Sequence, residues 1–178
     1  MLFRSDLPPA ALAGKATLRI ASAGGSRDIA VADFFVNSRR TVLSPGELLE
    51  AVLLPRPAPG CGTSFERFGL RRGLAVAVAS VAARVELNSG KIVGASAALG
   101  AVAATPMLVA GLASILSGQV PSSKVFALAA VACADAARPI SDARGSAEFR
   151  SEIVAVLARR AFERAAARAV TDAETALS

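Results

Sequence analysis

The chain of 178 residues contains no histidine, tryptophan or tyrosine and only two cysteines. Without histidine, it cannot supply a histidine general base, a Ser-His-Asp or Cys-His nucleophile, or a histidine-ligated metal. Cys61 and Cys133 lie far apart and form no CxxC pair. A disulfide scaffold, a structural zinc site and a four-cysteine iron–sulfur cluster are therefore unsupported. Chemistry would have to come from carboxylates, arginines, hydroxyls, backbone groups or a bound cofactor.

Lysine is also scarce, so arginine supplies nearly all of the positive charge. Lys and Arg together number 20 against 14 acidic residues, which gives a net charge of +6. This balance permits an anionic partner without identifying one. The arginines near the C-terminus, at 159, 160, 164 and 168, share a predicted helix with Glu163. That pattern favours a solvated helix face, and we expect no nucleic-acid partner.

Charge is absent between Lys91 and Lys124, a run long enough for a transmembrane helix. The run is mostly Ala, Gly, Ser and Val, with few of the large apolar residues that drive insertion. We therefore predict a strand and a buried helix here, and no membrane span. A membrane-associated protein is the alternative that the mean hydropathy of +0.51 leaves open. The first residues do not resemble a signal peptide, so we expect a cytoplasmic location.

The first third of the chain reads as strands joined by turns. Alternation over residues 15–31 predicts a β-hairpin, followed by a helical turn near Ala32. Ser44, Pro45 and Glu47 have the spacing of a capping box with proline at the first helical position. This pattern predicts a short helix that begins there. A strand should follow, up to the proline-rich linker at residues 55–60.

The rest of the chain predicts strands and then helices. Extended runs are expected at residues 64–68, 76–87 and 91–99, the last two joined by a turn. Three helices should follow: one that begins at Thr105-Pro106 and ends near Gly118, one at 122–137 and one at 147–169. Cys133 should be buried in the second helix and inert, and Cys61 should also be inert.

This order of elements predicts an α+β fold. We expect a small antiparallel sheet packed on a three-helix layer in the second part of the chain. The predicted divisions are a first domain at 1–57, a second at 62–169 and a tail at 170–178.

Four segments, in the right order, resemble the FAD-binding medium subunit of molybdenum hydroxylases, the xanthine and carbon monoxide dehydrogenase group. Residues 5–12 are similar to its S-D-L-x-P segment, and residues 33–49 to its DFF and PGEIL run. Residues 91–106 resemble its GKI hairpin, and residues 140–150 its D-x-RGSAEYRR signature.

The resemblance implies that residues 1–57 are the end of a PCMH-type FAD-binding domain. It also implies that FAD receives electrons from a partner's 2Fe-2S clusters, which a molybdopterin-binding large subunit reduces. The family's two glycine-rich pyrophosphate loops precede the Ser-Asp segment, so we expect this chain to be a C-terminal portion without them. Gly24-Gly25 is more typical of a hairpin turn than of such a loop. The alternative is a non-catalytic remnant that docks the molybdenum and iron–sulfur subunits without holding flavin.

The resemblance carries five residues over as candidate FAD contacts: Ser5, Asp6, Leu48, Leu49 and Arg67. Asp6 would accept hydrogen bonds from the polar chain of the flavin. The leucine pair would pack near the isoalloxazine ring, although ordinary core packing explains it equally. Arg67 would stand in for a basic flavin neighbour, or is simply a solvated strand residue. A neighbouring arginine, Arg144, is expected to tie its own loop to Asp142 or to backbone carbonyls.

Overall fold

The computed structural model describes residues 6–71 and 76–177; the side chains of residues 173–177 are outside the description. Helices and strands alternate in the first part, and strands precede helices in the second. The helices are α1 (Leu7–Ala13), α2 (Leu112–Leu116), α3 (Ser123–Ala136) and α4 (Ala147–Leu177). The strands are β1 (Thr17–Ser22), β2 (Gly25–Ala30), β3 (Phe35–Asn37), β4 (Arg40–Thr41), β5 (Leu48–Leu53), β6 (Cys61–Phe68), β7 (Ala79–Asn88), β8 (Lys91–Gly100) and β9 (Met107–Leu108).

The N-terminal part contains a three-stranded antiparallel sheet with β1 in the centre. β1 pairs with β2 through the predicted hairpin, and on its other side with β5. Leu18 and Ile20 alternate with polar residues along β1, and both are fully buried. They pack with α1, Val31 and Phe34 into a small core. The period-two pattern of β1 therefore gives the sheet one buried face.

The C-terminal part is a four-stranded antiparallel sheet in the order β6-β7-β8-β9. One face of β7, with Val81 and Val85, packs against α3 and α4 in the main core. The other face carries Ala82 and, on β8, Ala98, which belong to the N-terminal core. The small residues on this second face allow α1 to lie directly on β7 and β8. This arrangement confirms the α+β class and the sheet-on-helices packing.

The helix predicted to begin at Ser44 and Pro45 is wrong. A turn occupies this place, and β5 begins at Leu48 and pairs with β1. Half of the capping box still forms, since the Ser44 N–H donates to Glu47 Oε2 at 2.8 Å. Gly46 has φ +84°, outside the helical region, and pairing with β1 extends the residues that follow. Local capping chemistry thus ends in a turn because the long-range ladder prevails.

The helix predicted from Thr105-Pro106 to Gly118 is also wrong in its first half. Met107 and Leu108 form β9 and pair with Leu99 and Ala98 of β8. Only α2 is helical, and it begins after Gly111, which has φ +78°. The predicted helix at 122–137 is confirmed as α3, whose N-cap Ser122 accepts a hydrogen bond from the Val125 N–H. The last helix, expected to end near residue 169, continues as α4 to Leu177.

Within the described ranges, every helix is too short or too polar to cross a membrane.

Candidate functional site

Two of the candidate residues, Asp6 and Arg67, lie in direct contact. An Nη of Arg67 donates to Asp6 Oδ2 at 2.8 Å. Asp6 precedes the first turn of α1, and Arg67 lies near the end of β6. The two are 61 residues apart in sequence. The packing of α1 on the sheet is what brings them together.

The second carboxylate oxygen of Asp6 is available. Oδ1 is buried and makes no hydrogen bond to any part of the chain that the structure describes. Asp6 is the N-cap residue of α1, yet its side chain does not cap the helix. A buried carboxylate oxygen without a donor is costly, so such an atom is normally satisfied by a ligand or water. Asp6 therefore presents a charged acceptor beside a fixed cation.

The leucine pair lies on a different sheet. Leu48 and Leu49 begin β5, opposite Ala21 and Ile20 of β1. Neighbouring strand residues face opposite sides. Leu49 packs against the N-terminal core, whereas Leu48 is 58% exposed. Leu48 is therefore the member of the pair that is free to contact a ligand. The remaining candidate, Ser5, lies outside the described residues.

The Gly24-Gly25 pair occupies the turn between β1 and β2. The Gly24 N–H donates to the hydroxyl of Ser22 at 3.3 Å, and Gly25 has φ +128°. Both glycines thus serve the hairpin, as the sequence predicts.

A buried arginine that the sequence analysis did not single out joins α4 to the end of β8. Arg150 is only 4% exposed. One Nη donates to the Ala101 carbonyl at 3.1 Å and the other to Asp142 Oδ1. Ala101 itself has φ +64°, an uncommon backbone conformation for alanine. The RGSAEFR signature contains this residue, but its pattern does not tell a buried arginine from an exposed one.

Asp142 receives both arginines of its loop. Its carboxylate accepts the Arg144 backbone N–H at 2.8 Å and an Arg144 Nη at 3.3 Å, in addition to Arg150. The backbone hydrogen bond, then the Arg150 guanidinium, hold the pKa of Asp142 below its ordinary value. The expected tie between Arg144 and Asp142 is confirmed, and the cluster is structural.

Both cysteines are buried and free. Burial raises the pKa of Cys133 to about 12 and also raises the pKa of Cys61. Neither thiol forms appreciable thiolate near neutral pH. No group of three or more metal-ligating side chains occurs in the described ranges 6–71 and 76–177.

Two family profiles match the chain on either side of the proline-rich linker. Residues 3–57 match the FAD binding domain in molybdopterin dehydrogenase. Residues 65–165 match the CO dehydrogenase flavoprotein C-terminal domain.

Curated relatives match along nearly the whole chain. The carbon monoxide dehydrogenase medium chain of Afipia carboxidovorans is 33% identical over 165 residues, 93% of this chain and 57% of the relative. The glyceraldehyde dehydrogenase medium chain of Sulfolobus acidocaldarius is 31% identical over 162 residues, 91% of this chain and 57% of the relative. The chain thus spans under three fifths of the length of these two proteins.

Solved structures agree with this fold. Reconstituted CO dehydrogenase from Oligotropha carboxidovorans matches with a TM-score of 0.85 and 32% identity over 92% of this chain and 57% of that one. Quinoline 2-oxidoreductase from Pseudomonas putida matches with a TM-score of 0.85 and 30% identity over 93% of this chain and 57% of that one.

Proposed function

The chain belongs to the CO dehydrogenase flavoprotein family, and on that premise we propose that it forms part of the FAD site in an electron-transfer subunit of a molybdenum hydroxylase. The family match covers both the FAD-binding segment and the C-terminal domain. Because the chain spans 57% of its relatives, the activity of a whole medium chain is part of this proposal.

The observation that carries the proposal is the unpartnered Oδ1 of Asp6. The residues present fit a flavin, because a buried, charged acceptor suits the hydroxyl groups of its polar chain. Arg67 holds the opposite oxygen at 2.8 Å and so fixes the orientation of the carboxylate. Leu48 adds an exposed apolar side chain on β5 that an aromatic ring system would cover. Ser5, adjacent to Asp6, is proposed as a further contact.

When bound, FAD accepts and passes on electrons, and the protein contributes binding, orientation and electrostatics. Asp6 would hold the polar chain, and Arg67 would keep Asp6 ionised and in place. The histidine-free sequence leaves these groups without a histidine proton donor nearby.

We propose two partners, a molybdopterin-binding large subunit and a 2Fe-2S small subunit, in a cytoplasmic complex. This follows the printed names of the relatives, which are medium chains and a subunit of a dehydrogenase complex. The two-domain division at residues 57 and 62 accords with the limits of the two family matches and stays a prediction.

A docking role without flavin is the second candidate. The outer face of α3 favours it, because Leu128 and Val131, one helical turn apart, are 56% and 58% exposed. Exposed apolar side chains at this spacing are typical of a contact surface. Flavin content separates the two candidates.

The test is a chimaera in which this chain replaces the matching part of the Afipia medium chain. We expect the purified chimaera to retain FAD, measured as visible flavin absorbance per protein. Asp6→Asn should weaken FAD binding about tenfold, because it removes a charge-assisted hydrogen bond. Asp28→Asn is the matched control, since Asp28 is also paired with an arginine, Arg19, at 2.9 Å.

A folded chimaera without flavin, beside a flavin-loaded parent chain, would favour the docking role. Equal FAD affinity in the Asp6 and Asp28 variants would remove Asp6 from the site and leave the family assignment intact.

A further inference from the structure

A cavity of about 360 Å³ lies between α1, the chain after β5, and the edge strand β6 with its neighbour β7. Most of its lining is apolar, and includes Leu7 and Ala10 of α1, Leu54 and Phe65. Its volume is in the range of small-molecule sites in proteins. Leu54 is 63% exposed, so the apolar lining continues to the surface.

One end of the cavity is cationic. Arg84 and Arg168 are its only charged lining residues, and neither a carboxylate nor a lysine is among them. The Arg84 side chain is 13% exposed, and its Nη2 pairs with Glu86 at 2.9 Å. Its Nε is buried and has no hydrogen-bond partner among the described residues. A donor of this kind calls for an acceptor.

The second arginine comes from α4. Arg168 donates from one Nη to the Thr63 carbonyl at 2.6 Å, which places its guanidinium at the edge of β6. Thr63 is the register partner of Arg84 on β7. The two guanidinium groups therefore approach the same end of the cavity from the sheet and from the helix. Together they favour an anion.

We propose that this cavity binds a small monocarboxylate with an aliphatic body. The carboxylate accepts hydrogen bonds from Arg84 and Arg168, and the hydrocarbon chain lies along α1 towards Leu54. Glu86 neutralises part of the charge of Arg84, so the two arginines suit one negative charge better than two. The apolar walls exclude a hydrated inorganic anion, whose whole surface is polar.

This site is separate from the Asp6–Arg67 pair. Arg67 lies four residues along β6 from Thr63, which is roughly 13 Å at the rise of a strand. The inference thus does not depend on the proposed flavin role.

The test is isothermal titration calorimetry of the full chain with octanoate. Octanol, which has the same body without the charge, and acetate, which has the head group alone, are the comparison probes. We expect saturable octanoate binding with one site, at least tenfold weaker binding of octanol and no measurable binding of acetate. Arg84→Gln should weaken octanoate binding about tenfold, the loss of one charge-assisted hydrogen bond.

Ala10→Phe provides a second variant that does not disturb the core. Ala10 lines the cavity, yet it lies on the exposed side of α1, so a phenylalanine fills the space without entering a packed interior. Ala127→Phe on the exposed face of α3 is the matched control. We expect Ala10→Phe to abolish octanoate binding and Ala127→Phe to leave it unchanged.

Two results would overturn the proposal. One is octanoate binding that survives Ala10→Phe, since binding would then take place elsewhere on the surface. The other is equal affinity for octanol and octanoate, since the arginines would then play no part.

Discussion

Gly62 of β6 lies directly against the backbone of Ala165 in α4. A Cβ atom at position 62 would come within 1.9 Å of the Ala165 carbonyl oxygen and 2.5 Å of the Ala169 nitrogen. The helix therefore approaches the sheet as closely as backbone atoms allow. This contact sets the distance between the last helix and the edge strand.

Gly62→Ala should destabilise the fold by about 2–3 kcal/mol, because the atoms that it strikes are backbone and cannot turn aside. Chemical denaturation with urea measures the change. Gly24→Ala is the control, since the nearest atom to its added Cβ is 3.8 Å away. A Gly62 variant as stable as the Gly24 variant would contradict the packing described here.

Arg150→Met should cost about 2–3 kcal/mol of unfolding free energy. The change leaves the Ala101 carbonyl without its donor and removes the buried partner of Asp142. Arg144→Met is the matched control, because Arg144 pairs with the same carboxylate but is exposed, and exposed pairs contribute under about 1 kcal/mol. If the two variants lost equal stability, the buried arginine would not be the one that joins β8 to α4.

Glu47 should make the stability depend on pH in the acid range. Hydrogen bonds from Arg27 and from the Ser44 N–H lower the pKa of Glu47 from 4.5 to about 2. A carboxyl with a lowered pKa in the folded state stabilises the fold above its ordinary pKa, and this contribution is lost as the pH falls. The loss should occur between about pH 4.5 and pH 2.

The urea midpoint of Glu47→Gln should therefore fall less steeply across this window than that of the parent chain. Glu152→Gln, at an exposed position on α4, should follow the parent curve. Parallel curves for the parent and Glu47→Gln would show that the turn contact makes no difference to stability.

Leu48 and Leu49 should separate binding from folding. Leu49→Ala should cost about 1–2 kcal/mol, because its side chain packs on the N-terminal core. Leu48→Ala should leave the stability within about 0.5 kcal/mol, since the side chain is exposed. In the chimaera, only Leu48→Ala should lower FAD affinity without a loss of stability. The reverse pattern would place the core on the other side of β5.

Strong local signals were sufficient for part of this molecule. The hairpin of β1 and β2 follows from alternation around a glycine turn, and α3 follows from Ser122 as N-cap and the proline after its end. The family motifs brought Asp6 and Arg67 forward as candidates. The burial of Cys133 also follows from the apolar helix around it.

Tertiary structure decided the rest, because the deciding contacts join distant residues. The turn at Ser44 leads to a strand since β1 offers a pairing edge, and Met107 is extended because β8 does the same. The ion pair of Asp6 and Arg67 exists only once α1 packs on the sheet. Sequence patterns report local preference and the side that is apolar. Which strand edge, carbonyl or carboxylate lies opposite depends on packing between segments far apart in the chain, and no local pattern records it.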